Sequence, residues 1–195
     1  MNKWTKKRII DAFSMLVYKY GYDDITVEMI LKEAEVSKTT FYRYFRDKAD
    51  VMDARFRSLY DEAILERNCQ SLQDLFEILI EQAKENDDQY AMFSTTGHNS
   101  YREFVYRYTY EMGKRIIETV WNRKVTESED FHIAYFCAGG AKMLQEWVRG
   151  RAFTQFTTQQ FAHEMTLMMS GRYRLRFDDV VREHIREIIE KGTDR

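Results

Sequence analysis

Apolar residues recur at intervals of three and four near the start of the chain. Ile9, Phe13, Leu16, Val17 and Tyr20 fall on one face of a helix over 6–20, which Gly21 ends. Thr26 then precedes Val27-Glu28-Met29-Ile30-Leu31, an N-cap followed by a short helix through Ala34, with Ile25 placed before the cap as a hydrophobic staple. Ser37 is the next N-cap, and 38–44 gives about two turns. Asp47 caps a further helix through Val51, Ala54, Phe56 and Leu59. Three helix starts thus crowd between Thr26 and Asp47, and the periodic segments beyond are longer. The pattern predicts a small N-terminal domain, residues 1–46, joined by a continuous helix to a larger domain, residues 47–195.

Beyond the boundary the spacing predicts helices over 48–67, 71–85, 88–95, 99–125, 129–150, 158–171 and 178–191. The stretch 101–121 would span about 30 Å as a helix. Tyr101, Phe104, Val105, Tyr108, Met112, Ile116 and Val120 form one stripe along it, while Tyr106, Tyr110 and Ile117 occupy other faces, as expected of a central helix. Val181, Ile185, Ile188 and Ile189 mark a short amphipathic closing helix.

Composition sharpens this to an all-α fold. The chain has no proline and only eight glycines, which nearly excludes an all-β fold, and 44% hydrophobic residues are enough to build a packed core. The uncharged run 131–141 is far short of the ~18 residues a membrane span needs. The basic start opens no apolar run, so no signal peptide is expected, and a cytoplasmic location without membrane contact is the default.

Net charge is −2, yet Lys38, Arg43, Arg46 and Lys48 cluster against one acid, Asp47. A helix, a short turn and a second short helix with Val36 and Phe41 pointing inward would leave Lys38, Thr39, Thr40, Tyr42, Arg43 and Tyr44 facing outward. That is a helix-turn-helix whose second helix can enter a major groove. Lysine and arginine replace counterions at phosphates, threonine bonds either base edges or phosphate, and arginine pairs bidentately with guanine. Lys3, Lys6, Lys7 and Arg8 would add a second basic patch near the flanking backbone, and Lys48 opens a helix whose N–H groups favour a phosphate.

With Tyr20-Gly21-Tyr22, Ile25-Thr26-Val27, Val36 through Phe45 and Asp47-Lys48, the first 55 or so residues resemble the TetR family of transcriptional regulators. The resemblance implies a three-helix DNA-binding head whose third helix reads the operator, then a variable helical domain that dimerises and binds a small ligand. By the same resemblance Thr40, Tyr42 and Lys48 fall at DNA-contacting positions, and Lys38, Thr39, Arg43 and Tyr44 where sequence choice resides. With Thr26 these form the candidate DNA-binding set. Glu35 and Thr39 stand where the family often has glycine, so the turn at Glu35 either takes a left-handed residue or a different shape.

In the second domain, Phe76, Met92, Phe93, Tyr101, Phe104, Tyr108, Met112, Phe136, Met143 and Trp147 are candidate pocket residues for a small apolar or aromatic ligand. Four tyrosines on one helix are more hydroxyls than a dry core readily satisfies, which favours a wet or ligand-filled cavity over ordinary core. Phe131, Tyr135, Ala138, Phe161, Met165, Met168 and Met169 lie where the resemblance places a dimer interface, with burial inside one subunit as the alternative. Cys69 and Cys137 read as buried apolar thiols. The four histidines lack metal spacing, His132 reads as a core residue, and no catalytic or cofactor motif appears. The expected function is a ligand-responsive repressor that binds an inverted repeat in double-stranded DNA as a homodimer, without cofactor or enzymatic activity. A helical adaptor or co-activator whose second domain binds a protein partner is the competing reading.

Overall fold

A computed structural model of the chain describes residues 3–85, 100–169 and 171–192. The described residues contain helices and no strand. In chain order these are α1 (Lys3–Tyr20), α2 (Val27–Glu33), α3 (Lys38–Tyr42), α4 (Lys48–Glu66), α5 (Leu72–Glu85), α6 (Tyr101–Trp121), α7 (Glu127–Val148), α8 (Thr158–Leu167) and α9 (Gly171–Gly192). The helix expected over 88–95 lies outside the described residues.

The described residues fall into two compact units. The first holds those up to Leu59 with 100–104, and the second holds 60–85, 105–169 and 171–192. The boundary expected after Arg46 therefore lies inside the first unit.

In the first unit, Ile9, Phe13, Leu16 and Val17 are buried as their spacing requires, whereas Tyr20 at the end of that stripe stays exposed. Tyr22 takes the place expected of Tyr20, with its ring 6.3 Å from that of Phe13. Gly21 ends α1 with φ +82°, a conformation glycine adopts without steric cost. Ile25 and Ile30, the two ends of the expected staple, are both buried.

In the second unit α5 packs against α7, α8 and α9. Two polar groups of α9 fix the corner between α4 and α5. Asp178 accepts the Leu72 N–H at 2.7 Å, satisfying a donor of the first turn of α5, and Arg186 donates to the Leu65 carbonyl near the end of α4 at 3.1 Å. Val181, Ile185, Ile188 and Ile189 are buried as predicted. The helix nevertheless begins at Gly171 rather than 178, because alternating Arg and apolar residues over 172–177 carry no clear 3.6-residue period.

The other corrected boundaries have local causes. α6 stops at Trp121 instead of 125, since Asn122 turns left-handed with φ +46°. α7 starts two residues earlier than expected because Thr126 builds a capping box. Its hydroxyl accepts the Glu129 N–H, and the Glu129 carboxylate accepts the Thr126 N–H at 2.8 Å. Arg123 adds two further bonds to that carboxylate, each 2.8 Å. α8 ends at Leu167, not 171. His132, expected in the core, is exposed because it falls on the outer face of α7. Cys69 and Cys137 are buried free thiols, and burial pushes them up to about 12 and about 11.

The Arg123 and Thr126 bonds hold the Glu129 carboxyl down at about 2, against 4.5 for an unperturbed glutamate. A carboxyl depressed on folding stabilises the protein above its unfolded value and loses that contribution as pH falls through the folded one. Between pH 4.5 and 2, the Glu129→Gln variant should therefore lose less unfolding free energy than the parent in urea titrations. Thr126→Ala should cost about 1 kcal/mol at neutral pH.

Candidate nucleic-acid interface

The site is built on three hydrogen-bonded corners. At the first, the Thr26 hydroxyl accepts the Met29 N–H at 3.3 Å and caps α2. At the second, α2 closes with the Val36 N–H on the Leu31 carbonyl at 3.0 Å and the Glu35 N–H on that of Lys32 at 3.3 Å. This is the Schellman pattern, with Glu35 in the left-handed position at φ +50°. Of the two shapes open to this turn, the chain takes the left-handed residue. At the third, Ser37 accepts the Thr40 N–H at 3.1 Å and its hydroxyl lies 2.9 Å from that of Thr40, which starts α3.

Phe41 anchors α3. It is fully buried and packs against Phe45 at 5.9 Å. Because one side of so short a helix is committed to Phe41, Lys38, Thr39, Tyr42 and Arg43 are exposed, Tyr42 at 49%, while Val36, Thr40 and Tyr44 are half-buried. Lys38 Nζ lies 6.0 Å from the centre of the Tyr42 ring, and the Arg43 guanidinium 5.3 Å from that of Tyr44. Cations resting on phenol faces are ordered without being neutralised.

The remaining cations of the cluster are held within the head itself. Arg46 forms a paired contact with Asp50, which also accepts the Arg46 N–H at 2.9 Å. Lys48 Nζ donates to the carbonyls of Tyr22 at 2.8 Å, Asp23 at 3.3 Å and Ile25 at 2.9 Å, and sits 4.5 Å from the Tyr22 ring centre. Contact between this ammonium and a phosphate would require exchanging those carbonyls. Arg8 is likewise turned inward, donating to the Ala34 and Glu35 carbonyls at the end of α2. Lys3 and Lys7 remain exposed. Asp50 and the loop carbonyls lie outside the run 38–48, so a charge count over that run misses them.

The candidate pocket residues do not all face inward. Phe104, Tyr108, Met112 and Trp147 are buried, Phe76, Tyr101 and Phe136 are half-buried, and Met92 and Phe93 lie outside the described residues. Met143 is exposed, which removes it from an interior lining. Two of the tyrosine hydroxyls find carboxylates: Tyr108 donates to buried Asp61 at 2.8 Å, and Tyr110 to Asp130 at 2.7 Å. Asp61 had no sequence signal, since it sits in an ordinary charged stretch of α4.

On α7, Phe131 and Tyr135 are 67% and 76% exposed and stack on each other at 6.4 Å, with Ala138 exposed one turn further on. Met168, just after α8, is 77% exposed, and Met165 and Met169 are half-buried. Phe161, expected beside them, instead stacks inside on Trp147 at 5.0 Å.

Comparison with known proteins agrees with this layout. Residues 9–54 match the family model for bacterial regulatory proteins of the tetR family, and residues 70–171 match one for a transcriptional regulator C-terminal region. The chain is 40% identical over 50 residues to the uncharacterized HTH-type transcriptional regulator YvkB of Bacillus subtilis strain 168, covering 26% of each chain. It is 43% identical over 53 residues to the transcriptional regulator AcuR of Cereibacter sphaeroides, covering 24% of each. These matches span about a quarter of the relatives' length. Among solved structures it is similar to the dihydroxyacetone kinase operon activator DhaS, at 20% identity over 84% of this chain and 93% of that one, with a TM-score of 0.50, which is a likeness of fold.

The left-handed turn yields a stability test. Glu35→Gly and Glu35→Ala both delete the carboxylate that lies 3.5 Å from Arg8, so their difference isolates the backbone. Glu35→Gly should be the more stable of the two by about 1 kcal/mol in urea unfolding.

Proposed function

The chain belongs to the tetR family of bacterial regulatory proteins, a family of transcription regulators and not of enzymes, and from that premise we propose a ligand-responsive repressor that binds operator DNA as a homodimer. The observation that carries this reading is the exposure of Tyr42 and Arg43 on a helix fixed from behind by Phe41 and capped by Ser37. In the proposed complex α3 enters the major groove. Lys38, Thr39, Arg43 and Tyr44 select sequence, and Thr40 and Tyr42 bond the flanking phosphates and base edges. Thr26 borders the groove, with its hydroxyl committed to the cap of α2. Lys48 acts chiefly by holding α4 to the loop after α1.

Two heads would read an inverted repeat with half-sites about 34 Å or a small multiple of that apart. The exposed face of Phe131, Tyr135, Ala138 and Met168, with Met165 and Met169 at its edge, supports pairing of two copies, since so much apolar surface is costly to leave in water. An apolar or aromatic ligand among Phe76, Phe136 and neighbouring residues would favour an arrangement whose heads no longer fit that spacing, weakening DNA binding by its differential affinity. Residues 1–46 are the reading head in this scheme, residues 47–195 carry pairing and ligand response, and the protein works in the cytoplasm.

Gel shifts on the DNA upstream of its own gene should show a complex that weakens steeply with salt. Arg43→Ala should cost about 1–3 kcal/mol in affinity. Arg43→Ala combined with Tyr42→Ala should abolish the shift, with the sedimentation mass unchanged. Wild-type binding by the double variant would overturn the assignment of α3.

A further inference from the structure

The outward face of α1 carries an aromatic residue that the reading head does not use. Trp4 is 63% exposed, although tryptophan is among the side chains most costly to leave in water. Its ring is not loosely placed. The Arg8 guanidinium lies 4.7 Å from the ring centre, and the same guanidinium donates to the Ala34 and Glu35 carbonyls and lies 3.5 Å from the Glu35 carboxylate. Arg8 thus links the indole to the turn that immediately precedes Ser37 and α3. Exposed Lys3 and Lys7 flank Trp4, the first turn of α1 carries no acid, and the first acid of the helix is Asp11.

We propose that Trp4, positioned by Arg8 and flanked by Lys3 and Lys7, contacts the sugar–phosphate backbone beside the half-site read by α3. This rests on the DNA-binding reading above. The indole N–H is a donor with no acceptor character, which suits a phosphate oxygen, and the flat ring suits a deoxyribose face. Lys3 and Lys7 supply the charge that draws the backbone toward this face. The charge of Arg8, expected from sequence to meet the backbone directly, acts instead through the ring it holds. A backbone contact carries no base information, so its contribution is equal on any duplex.

The test uses the full chain and two labelled duplexes, one from upstream of its gene and one of the same composition scrambled. Trp4→Ala is expected to weaken binding about five-fold on both. Arg43→Ala is expected to weaken binding to the upstream duplex by a larger factor than to the scrambled one, where only its charge is lost, and Lys7→Ala to lower the salt slope by about one. In protein labelled with 5-fluorotryptophan, the Trp4 signal, assigned by its loss in Trp4→Phe, is expected to move when either duplex is added. Wild-type affinity in Trp4→Ala, a Trp4 signal unmoved at saturating duplex, or an effect limited to the upstream duplex overturns the proposal while leaving the reading of α3 intact. A wild-type chain that binds neither duplex overturns both.

Discussion

Burial of one side chain, Phe41, orients everything the head presents to solvent. A helix as short as Lys38–Tyr42 has no stability of its own, because nucleation costs more than its few hydrogen bonds return. It exists because Ser37 caps its first turn and because Phe41, against Phe45, fixes its rotation about its axis. Once that rotation is fixed, Lys38, Thr39, Tyr42 and Arg43 point outward. The left-handed Glu35 serves the same end, since it turns the chain from α2 into the Ser37 cap.

Charge in this head is distributed by geometry rather than by count. Arg46 is paired with Asp50, Lys48 is wrapped in three carbonyls, and Arg8 is drawn to the end of α2, so within 38–48 Lys38 and Arg43 are the cations that lie by phenol rings rather than on carboxylates or carbonyls. Lys48 and Arg8 also satisfy carbonyls in a loop and at a helix end that would otherwise need water, which ties α4 and α1 to the two corners flanking α2. A cationic surface of this kind is smaller than the sequence suggests.

Much of the fold was legible in the chain because helix signals are local. Thr26, Ser37 and Thr126 are side-chain caps whose effect extends three residues, and the Ile9, Phe13, Leu16, Val17 spacing needs no knowledge of what it packs against. The errors arise where the outcome depends on a distant partner. Tyr22 displaced Tyr20 from the core, Phe161 found Trp147 instead of an outer face, and two of the four tyrosine hydroxyls of α6 found Asp61 and Asp130 on other helices. At the site, the outward position of Lys38, Thr39, Tyr42 and Arg43 followed from that of Phe41, whereas Thr40 and Tyr44, expected to face outward with them, are half-buried. The commitments of Lys48 and Arg8 did not, because their acceptors are backbone carbonyls 23 to 27 residues away, invisible to any residue-type pattern.

The central claim is that the outward face of α3 is the surface that meets DNA. Hydroxyl-radical footprinting of the protein, with and without the upstream duplex, reads this directly at a single side chain. Tyr42 should lose most of its reactivity at saturating duplex while buried Tyr22 stays unreactive in both states. Tyr42 oxidised equally fast with the duplex bound would contradict the account.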